Sequence, residues 1–499
     1  MSSADQAPPE LYAPREPIFP RRVSGAFRNL KWALMIVMLG IYYITPWIRW
    51  DRGPNLPDQA VLIDMGGRRF FFFMIEIWPH EFYFVAGLLI MAGLGLFLFT
   101  SAVGRVWCGY ACPQTVWTDL FILVERWIEG DRNARIRLHR QPWNWEKLIK
   151  NGVKWWAWLA IALATGGAWI FYFTDAPTLF VDLIHFNAHP IAYATMLILT
   201  GTTFFFGGFA REQICIYACP WPRIQAAMMD EDTLTIGYRY WRGEPRGKLE
   251  KAGQDTQGSG AQAQGDCIDC MACVNVCPQG IDIRDGQQLA CITCGLCIDA
   301  CNGIMDKIGK PRDLIGYLAL TDEVAERAGA PKKSIWRHIL RVRTVIYTVL
   351  WAGVGIGLIV ALFLRAPLDV NVTPVRNPQY VTLSDGSIRN AYDLRLRNMQ
   401  GDDRVFAVSA SSAIATFFLS FDGTDDLNIT VPANQTKTVR LFVTAPVETL
   451  AAGAERTDLC LWVMDMGPDG KAVDPLRIHY DTVFYGVDKH HDDDDGKDN

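Results

Sequence analysis

Five stretches of this chain are apolar for long enough to cross a lipid bilayer, and they limit its fold more than any other feature. A spanning helix needs about 20 mostly apolar residues. The stretches fall near residues 32–48, 82–103, 155–173, 191–209 and 344–364. The first is the shortest and is rich in Leu, Ile, Met and Tyr, with Trp32 and Trp47 at its ends. Tryptophan and tyrosine at span ends fit interfacial belts. Half of all residues are hydrophobic and 18 are tryptophan, which points towards lipid. Buried helices of a large soluble protein would not need five such runs with aromatic ends. At 499 residues the chain also exceeds one ordinary domain.

Lysine and arginine near the spans predict the orientation. Arg15, Arg21, Arg22 and Arg28 precede the first span. Arg126, Arg132, Arg135, Arg137, Arg140, Lys147 and Lys150 follow the second. The loop between spans three and four carries Asp175 and Asp182 and no lysine or arginine. Lys332, Lys333, Arg337, Arg341 and Arg343 precede the fifth. The loop between spans one and two holds Arg49, Arg52, Arg68 and Arg69, balanced by acidic residues. The expected topology is N-in and C-out. Residues 212–343 are then cytoplasmic, and everything after Arg365 lies outside, in the periplasm of a bacterium. No cleavable signal peptide is evident, because the first apolar run begins only near Leu30. The polar segment before it, residues 1–29, is expected to be disordered.

The 13 cysteines are clustered, unlike those of a secreted disulfide scaffold. Eight follow the bacterial ferredoxin spacing written twice. Cys267, Cys270, Cys273 and Cys277 with Pro278 form one run, and Cys291, Cys294, Cys297 and Cys301 the other. Three close thiolates wrap three corners of a cube, while the fourth starts a helix leading to the other cube. One [4Fe–4S] cluster is therefore expected on Cys267, Cys270, Cys273 and Cys301, the second on Cys291, Cys294, Cys297 and Cys277. Zinc sites use four ligands, usually as two pairs, so eight in this spacing are more specific. Ala272, Gly280 and Gly295 are small enough to let backbone N–H groups approach the sulfurs. Asn302 stands where a second proline is usual, and the connection from Pro278 to Ala290 is short. Residues 253–265 read as a flexible tether. The net charge of -5 gives no sign of a nucleic-acid surface.

Four more cysteines form a repeat. Cys108-Gly-Tyr-Ala-Cys112-Pro follows the second span, and Cys215-Ile-Tyr-Ala-Cys219-Pro follows the fourth. Duplication of a two-span unit can build a pseudo-symmetric site. A spacing of four is expected to put both thiols of a pair on one helical face. Proline fits the first turn of a following helix or ends the current one. Such thiols suit Cu(I), zinc or an iron–sulfur cluster. They also suit a reversible disulfide exchanging electrons with the clusters, or simply small buried side chains.

Weaker signals remain. His185 and His189 are more often surface residues than metal ligands. His490, His491 and the acidic residues 492–495 read as a solvated tail. Cys460, near Met464 and Met466, lies in an alternating run that reads as a strand, and an unpaired periplasmic cysteine is unusual. After the last span seven alternating runs occur, at 391–396, 405–409, 417–421, 427–431, 438–443, 459–464 and 478–483. They suit an antiparallel immunoglobulin-like sandwich with no catalytic constellation, a docking module by default.

Taken in order, these motifs resemble the cytochrome c oxidase accessory proteins of the CcoG/FixG/RdxA family, from about Pro17 to Tyr485. The membrane half also looks like the polyferredoxin subunit NapH of quinol-oxidising systems. The resemblance implies a disordered segment 1–29, a helical membrane domain 30–210, a ferredoxin insert 211–343, a fifth span 344–364, a sandwich 365–488 and a tail 489–499. It implies an inner-membrane oxidoreductase that reduces Cu(II) to Cu(I) for assembly of a cbb-type haem–copper oxidase, working with copper chaperones and assembly factors. A homodimer is compatible with it, and the electron donor has no signature in the chain. Cys108, Cys112, Cys215 and Cys219 then become the residues for copper handling or electron relay. A link between quinol and a soluble partner is the competing activity, and a non-enzymatic assembly scaffold the competing class.

Overall fold

The computed structural model describes residues 17–53, 56–248, 264–365, 368–412, 416–422, 424, 426–449, 454–468, 470 and 477–487. The tether expected at 253–265 and the histidine-acidic tail lie almost wholly outside these residues. The chain divides into two units, one of residues 1–49 and 59–359 and one of 50–58 and 360–499.

The first unit is built on helices. Helix α1 (Ala26–Ile44) leads through a short turn to an antiparallel meander of β1 (Val61–Asp64), β2 (Arg69–Phe72) and β3 (Ile75–Ile77). Then come α2 (Tyr83–Val103), α3 (Val106–Tyr110), α4 (Pro113–Ile128), α5 (Arg132–Arg140), α6 (Trp145–Ile170), α7 (Ala176–Ile184) and α8 (Pro190–Phe205). Among the described residues four helical runs are long and apolar enough to cross a membrane: Ala26–Trp47, Pro79–Val103, Pro190–Ala218 and Val342–Phe363. These correspond to four of the five expected spans. The remaining one, residues 155–173, falls on α6, which has 26 residues but is not among the four. Lys147, Lys150 and Lys154 occupy its first half. Small or polar Thr165, Gly166 and Gly167 are buried in its second half. A Cβ at Gly166 would stand 2.7 Å from the Met196 carbonyl oxygen of α8. Surface spent on such close helix packing is surface that need not be apolar.

Two buried carboxylates on α4 hold the helices together. Asp119 accepts a hydrogen bond from Arg28 of α1 at 2.9 Å, with Lys31 at 3.9 Å. Glu125 is paired with Arg135 of α5 and with Arg211. Burial pushes both carboxyls up, but the cations outweigh it and hold them below the usual range. Glu129 extends the network to Lys154 of α6 at 2.6 Å.

The cysteine-rich segment folds against this framework. Strand β4 (Thr235–Tyr238) pairs with β5 (Ile315–Leu318), and the helix Leu296–Lys307 lies beside them. Ile236, Ile283, Ile298, Met305, Leu314 and Ile315 pack around Cys267, Cys273 and Cys301.

The expected disorder of residues 1–29 needs correction from Pro17 onwards; residues 1–16 lie outside the described chain. The arm donates from Arg21 N to Asn275 O at 2.8 Å, and Phe27 packs on the cysteine-rich core. Helix α1 starts at Ala26, and its first turn holds no acidic residue. Asp299 of the cysteine-rich segment supplies the missing acceptor. Its carboxylate accepts from Phe27 N at 3.3 Å and Arg28 N at 2.8 Å. Prolines and arginines in the arm read as a solvated linker, whereas Ile18, Phe19 and Phe27 supply the apolar contacts that dock it.

The second unit is an antiparallel sandwich, as the alternation predicts. Its strands are β6 (Leu368–Pro374), β7 (Val381–Thr382), β8 (Ile388–Asn398), β9 (Arg404–Ser411), β10 (Phe418–Phe421), β11 (Asn428–Val431), β12 (Thr436–Ala445), β13 (Arg456–Asp465) and β14 (Arg477–Tyr485). One sheet runs β10-β12-β8-β6 with β7 also on β8, and the other β11-β9-β13-β14. Tyr392, Leu394, Phe406, Leu441, Leu461 and Phe484 meet in the core. The Tyr392 hydroxyl donates to Val483 O at 2.7 Å, joining the sheets. The seven expected runs all lie in strands, and β6 and β7 are additional. Pro374 ends β6, which is tolerated because β6 is an edge strand.

Two predictions test the joints of the first unit. Asp299→Ala should lower thermal stability in detergent by about 1 kcal/mol, the usual value of a helix cap, and expose residues 17–25 to protease. Asp299→Asn keeps an acceptor and should lose less; equal stability of Asp299→Ala and the parent would refute the cap. The second concerns Asp230, which accepts from Arg343 at 2.9 Å, from Thr233 at 2.9 Å and from Arg341. Burial raises its pKa, but these donors bring it down to about 2. A depressed folded-state value stabilises the fold above the unfolded value near 3.9 and is lost as pH falls towards 2. Asp230→Asn should therefore cost at most about 1 kcal/mol at pH 7, and its melting curve should converge with the parent's in acid.

Candidate redox site

The two cysteine runs fold into the same loop twice. In the first, Asp269 and Met271 have φ of 51° and 56°. At the matching places of the second, Thr293 and Gly295 have φ of 54° and 73°. Three of these four are not glycine, so each loop holds a backbone that L side chains rarely adopt. That curvature lets three cysteines close in on one centre. The fourth comes from the other run in both cases. Cys301 lies within electrostatic reach of Cys267, Cys270 and Cys273. Cys277 is a neighbour of Cys291 and Cys294, and Cys297 of all three. The second group lines a cavity with Ile236, Ile281, Ile283, Ile292 and Leu296.

By themselves several of these thiols, Cys273, Cys277, Cys291, Cys297 and Cys301, resist ionisation. Burial, reinforced by neighbouring cysteines, pushes Cys277 and Cys301 up to about 12 and Cys297 well above the ordinary thiol value. A coordinated metal deprotonates a thiol outright. Two sets of four thiols, each arranged three plus one against apolar side chains and all but Cys270 buried or half-buried, fit a pair of [4Fe–4S] cubes.

Two of the small residues have a further role in packing. A Cβ on Gly280 would meet Ile18, and one on Gly295 would meet Phe27. Both glycines receive the N-terminal arm. Asn302, in place of proline, accepts from Asp313 N at 2.8 Å.

The four motif thiols also come together, although they derive from two places in the sequence. Cys108 lies within electrostatic reach of Cys112 and Cys219, and Cys215 of Cys108, Cys112 and Cys219. All four are half-buried. The pairs do not share a helical face. Cys108 is in α3, whereas Cys112 is the extended residue that caps α4, with ψ 129°. Cys219 is extended in the same way, with ψ 125°, after a π-helical turn Ile214–Ala218. The following proline excludes helical geometry at the second cysteine. The entry to each motif is also repeated. Gly104 has φ 61° and ψ −132°, and Arg211, at the matching position, φ 36° and ψ −112°. Glu125 and the Gly208 carbonyl oxygen, at 2.8 Å, hold Arg211 in this strained conformation.

Cross-braces join the two motifs. The Cys108 thiol donates to Gln225 Oε1 at 3.1 Å, from the helix after the second motif. Gln114, just after the first motif, donates to Phe206 O at 2.9 Å and Arg211 O at 3.2 Å. Burial raises the Cys108 thiol, and the adjacent Arg105 guanidinium opposes it. Among the described residues no three His, Cys, Asp or Glu side chains converge on one ion-sized point. The thiols are neighbours and not a closed cage. His185 and His189 are exposed, and His189 accepts from Ile191 N at 3.3 Å. Cys460 is on β13, on the face opposite buried Leu459 and Leu461.

The first motif touches the second cysteine loop. A Cβ on Gly109 would stand 2.6 Å from Ile292 O and 3.0 Å from Cys294 Cα. Cys108 packs on the cluster of Val276, Ile292, Cys294 and Leu296. The Tyr110 hydroxyl donates to Cys294 O at 2.9 Å, and Arg105 donates to Leu289 O. Arg105, Gly109, Tyr110, Gln225 and Asp299 did not emerge from sequence reasoning. One signal was readable: Gly109 stands where the second motif has Ile216.

Family comparison agrees with this geometry. Residues 210–319 match a 4Fe-4S dicluster domain and residues 84–131 a 4Fe-4S binding domain. Residues 358–486 match the Ig-like fold at the C-terminus of FixG. Protein RdxB of Cereibacter sphaeroides is 70% identical over 97% of this chain and 99% of its own. Protein RdxA of the same organism is 66% identical, over 96% and 99%. Nitrogen fixation protein FixG of Rhizobium meliloti is 52% identical over 89% of each chain. With such identity over nearly the full length of both chains, and with these cysteine loops beside apolar spanning helices, the chain belongs to the FixG/RdxA family of membrane iron–sulfur electron-transfer proteins.

Proposed function

We propose that this protein is a cupric reductase, passing single electrons to Cu(II) held by Cys108, Cys112, Cys215 and Cys219 and releasing Cu(I) for assembly of a cbb-type oxidase. The observation that carries the reading is the seating of Gly109 against Ile292 and Cys294, which puts Cys108 beside the second cysteine loop. The [4Fe–4S] groups, when bound, supply one-electron chemistry at low potential. The residues do the rest. Cys277, Cys291, Cys294 and Cys297 hold the electron source next to the motif. Gly109 permits the close approach, and Tyr110 fixes the loop by its hydrogen bond to Cys294 O.

Copper is the substrate here, not a resident metal. Thiolate ligands favour the soft Cu(I) ion over Cu(II), so reduction is drawn forward at this site. One electron in converts Cu(II) to Cu(I), with no bond broken in the protein. Arg105 favours the Cys108 thiolate and Gln225 orients the sulfur.

The location follows from charge. Arg132, Arg135, Arg137 and Arg140 all lie on α5, in the segment after the second span. With α6 taken as a fifth crossing, the positive-inside rule puts this end in the cytoplasm with the cysteine loops, and the chain end after the last span in the periplasm of a bacterial inner membrane.

Two measurements test the reading. Changing Cys108, Cys112, Cys215 and Cys219 together to Ser should abolish Cu(II) turnover by dithionite-reduced protein while leaving iron content and cluster EPR unchanged; an intact rate would remove these thiols from the mechanism. Gly109→Val should leave both clusters loaded and slow Cu(II) reduction roughly tenfold or more, by displacing the motif from its electron source. Ile216→Val, at the matching place of the other motif, should leave the rate near normal.

A further inference from the structure

A second polar site lies away from the cysteines, where the first span enters the membrane. A cavity of about 320 Å³ is lined by Arg22, Arg28, Trp32, Leu123, Arg126 and Asp131, with Val23 and Trp127 at its wall. Three guanidinium groups face it, and Asp131 is the one carboxylate lining it, already accepting from Arg22 N at 3.0 Å. Asp119 is engaged behind it by Arg28 and Lys31.

Arg28 is only 4% exposed. Its Nη1 serves Asp119, and its plane lies 4.0 Å from the Trp32 ring. Its Nη2 is buried with no hydrogen-bond partner. Arg126 donates from Nη2 to Pro20 O at 3.2 Å, but its Nε is likewise buried and unmatched. Burial, Arg28 and Arg135 disfavour the charge on Arg126, by more than Asp119 and Asp131 offset. Leaving a charged donor unmatched in the interior is costly. The arrangement is therefore missing an anion. Planar forked donors around a small cavity suit phosphate oxygens best.

The position says which phosphate. The cavity sits at the start of the span Ala26–Trp47, beside Trp32 and Trp127, the latter 76% exposed. Indoles of this kind mark the headgroup level of a bilayer. We propose that Arg22, Arg28 and Arg126 bind the phosphate of an anionic phospholipid headgroup, which clamps α1 to α4 at the membrane surface. This reading is independent of the copper chemistry.

The test uses the full-length protein with both clusters loaded, in nanodiscs of phosphatidylcholine alone or mixed with phosphatidylglycerol. Native mass spectrometry should find phosphatidylglycerol retained in preference to phosphatidylcholine. Arg22→Gln and Arg126→Gln should each reduce that retention about fivefold, the value of one arginine at an anionic surface, with cluster absorption unchanged. Arg22 is exposed, so the single Arg22→Gln variant remains informative if the Arg126 variant folds poorly. Equal retention of the two lipids, or retention unaffected by both variants, would overturn the proposal. So would inorganic phosphate alone raising the melting temperature as much as phosphatidylglycerol does, because that would make the site one for free phosphate.

Discussion

The arrangement of the redox site depends on two carboxylates buried on one helix. Asp119 and Glu125 lie six residues apart on α4, the helix that begins with the proline of the first motif. Asp119 binds α1 through Arg28 and Lys31, and Glu125 binds α5 and the entry to the second motif through Arg135 and Arg211. Burying such charges is expensive, and apolar residues would stabilise a helix bundle as well or better. What the pairs provide is position. Arg211 adopts a backbone conformation unfavourable for a side chain, and the matching residue of the first motif is a glycine. Without Glu125 that strain would rest on the Gly208 carbonyl and Gln114 alone, and the geometry that brings the second pair of thiols to the first would loosen.

A duplicated unit has thus become asymmetric. Both copies break the helix, carry two half-buried cysteines and are followed by proline. Only one presents a glycine to the second cysteine loop. The residue after that glycine, Tyr110, completes the seat with its hydroxyl. On the other flank, Asp299 caps α1, the arm before α1 packs on Gly280, and Phe27 in the first turn of α1 packs on Gly295. The cysteine loops are therefore fastened to the helical framework from both sides. Electron transfer depends on a fixed separation between donor and acceptor, so a soluble ferredoxin-like fold built into the helical unit gains function by losing freedom.

The parts that could be read without a structure are those governed by short-range rules. Apolar length marks a span, alternation marks a strand, and ferredoxin spacing brings three thiols around one turn. Four spans, both cysteine runs and seven strands were legible on these grounds. α6 marks the limit of the first rule, since its buried Thr165 and Gly166 pack on α8 instead of lipid. Strands β6 and β7 mark the limit of the second, one ending in proline and the other two residues long. The arm at residues 17–25 looked like linker because its charges and prolines conceal two docking side chains, Ile18 and Phe19.

The sequence by itself determined which cysteines carry the cluster-binding spacing, because thiol spacing is written locally. It also determined that there are two copies of the membrane-edge motif. Only the tertiary structure decided which copy meets the cysteine loops, that Cys108 is braced by Gln225, and that Asp299 ends an open helix 271 residues earlier in the chain. These contacts join positions whose separation along the chain carries no period or spacing. They arise from packing, where a missing Cβ or one unpaired N–H decides what fits.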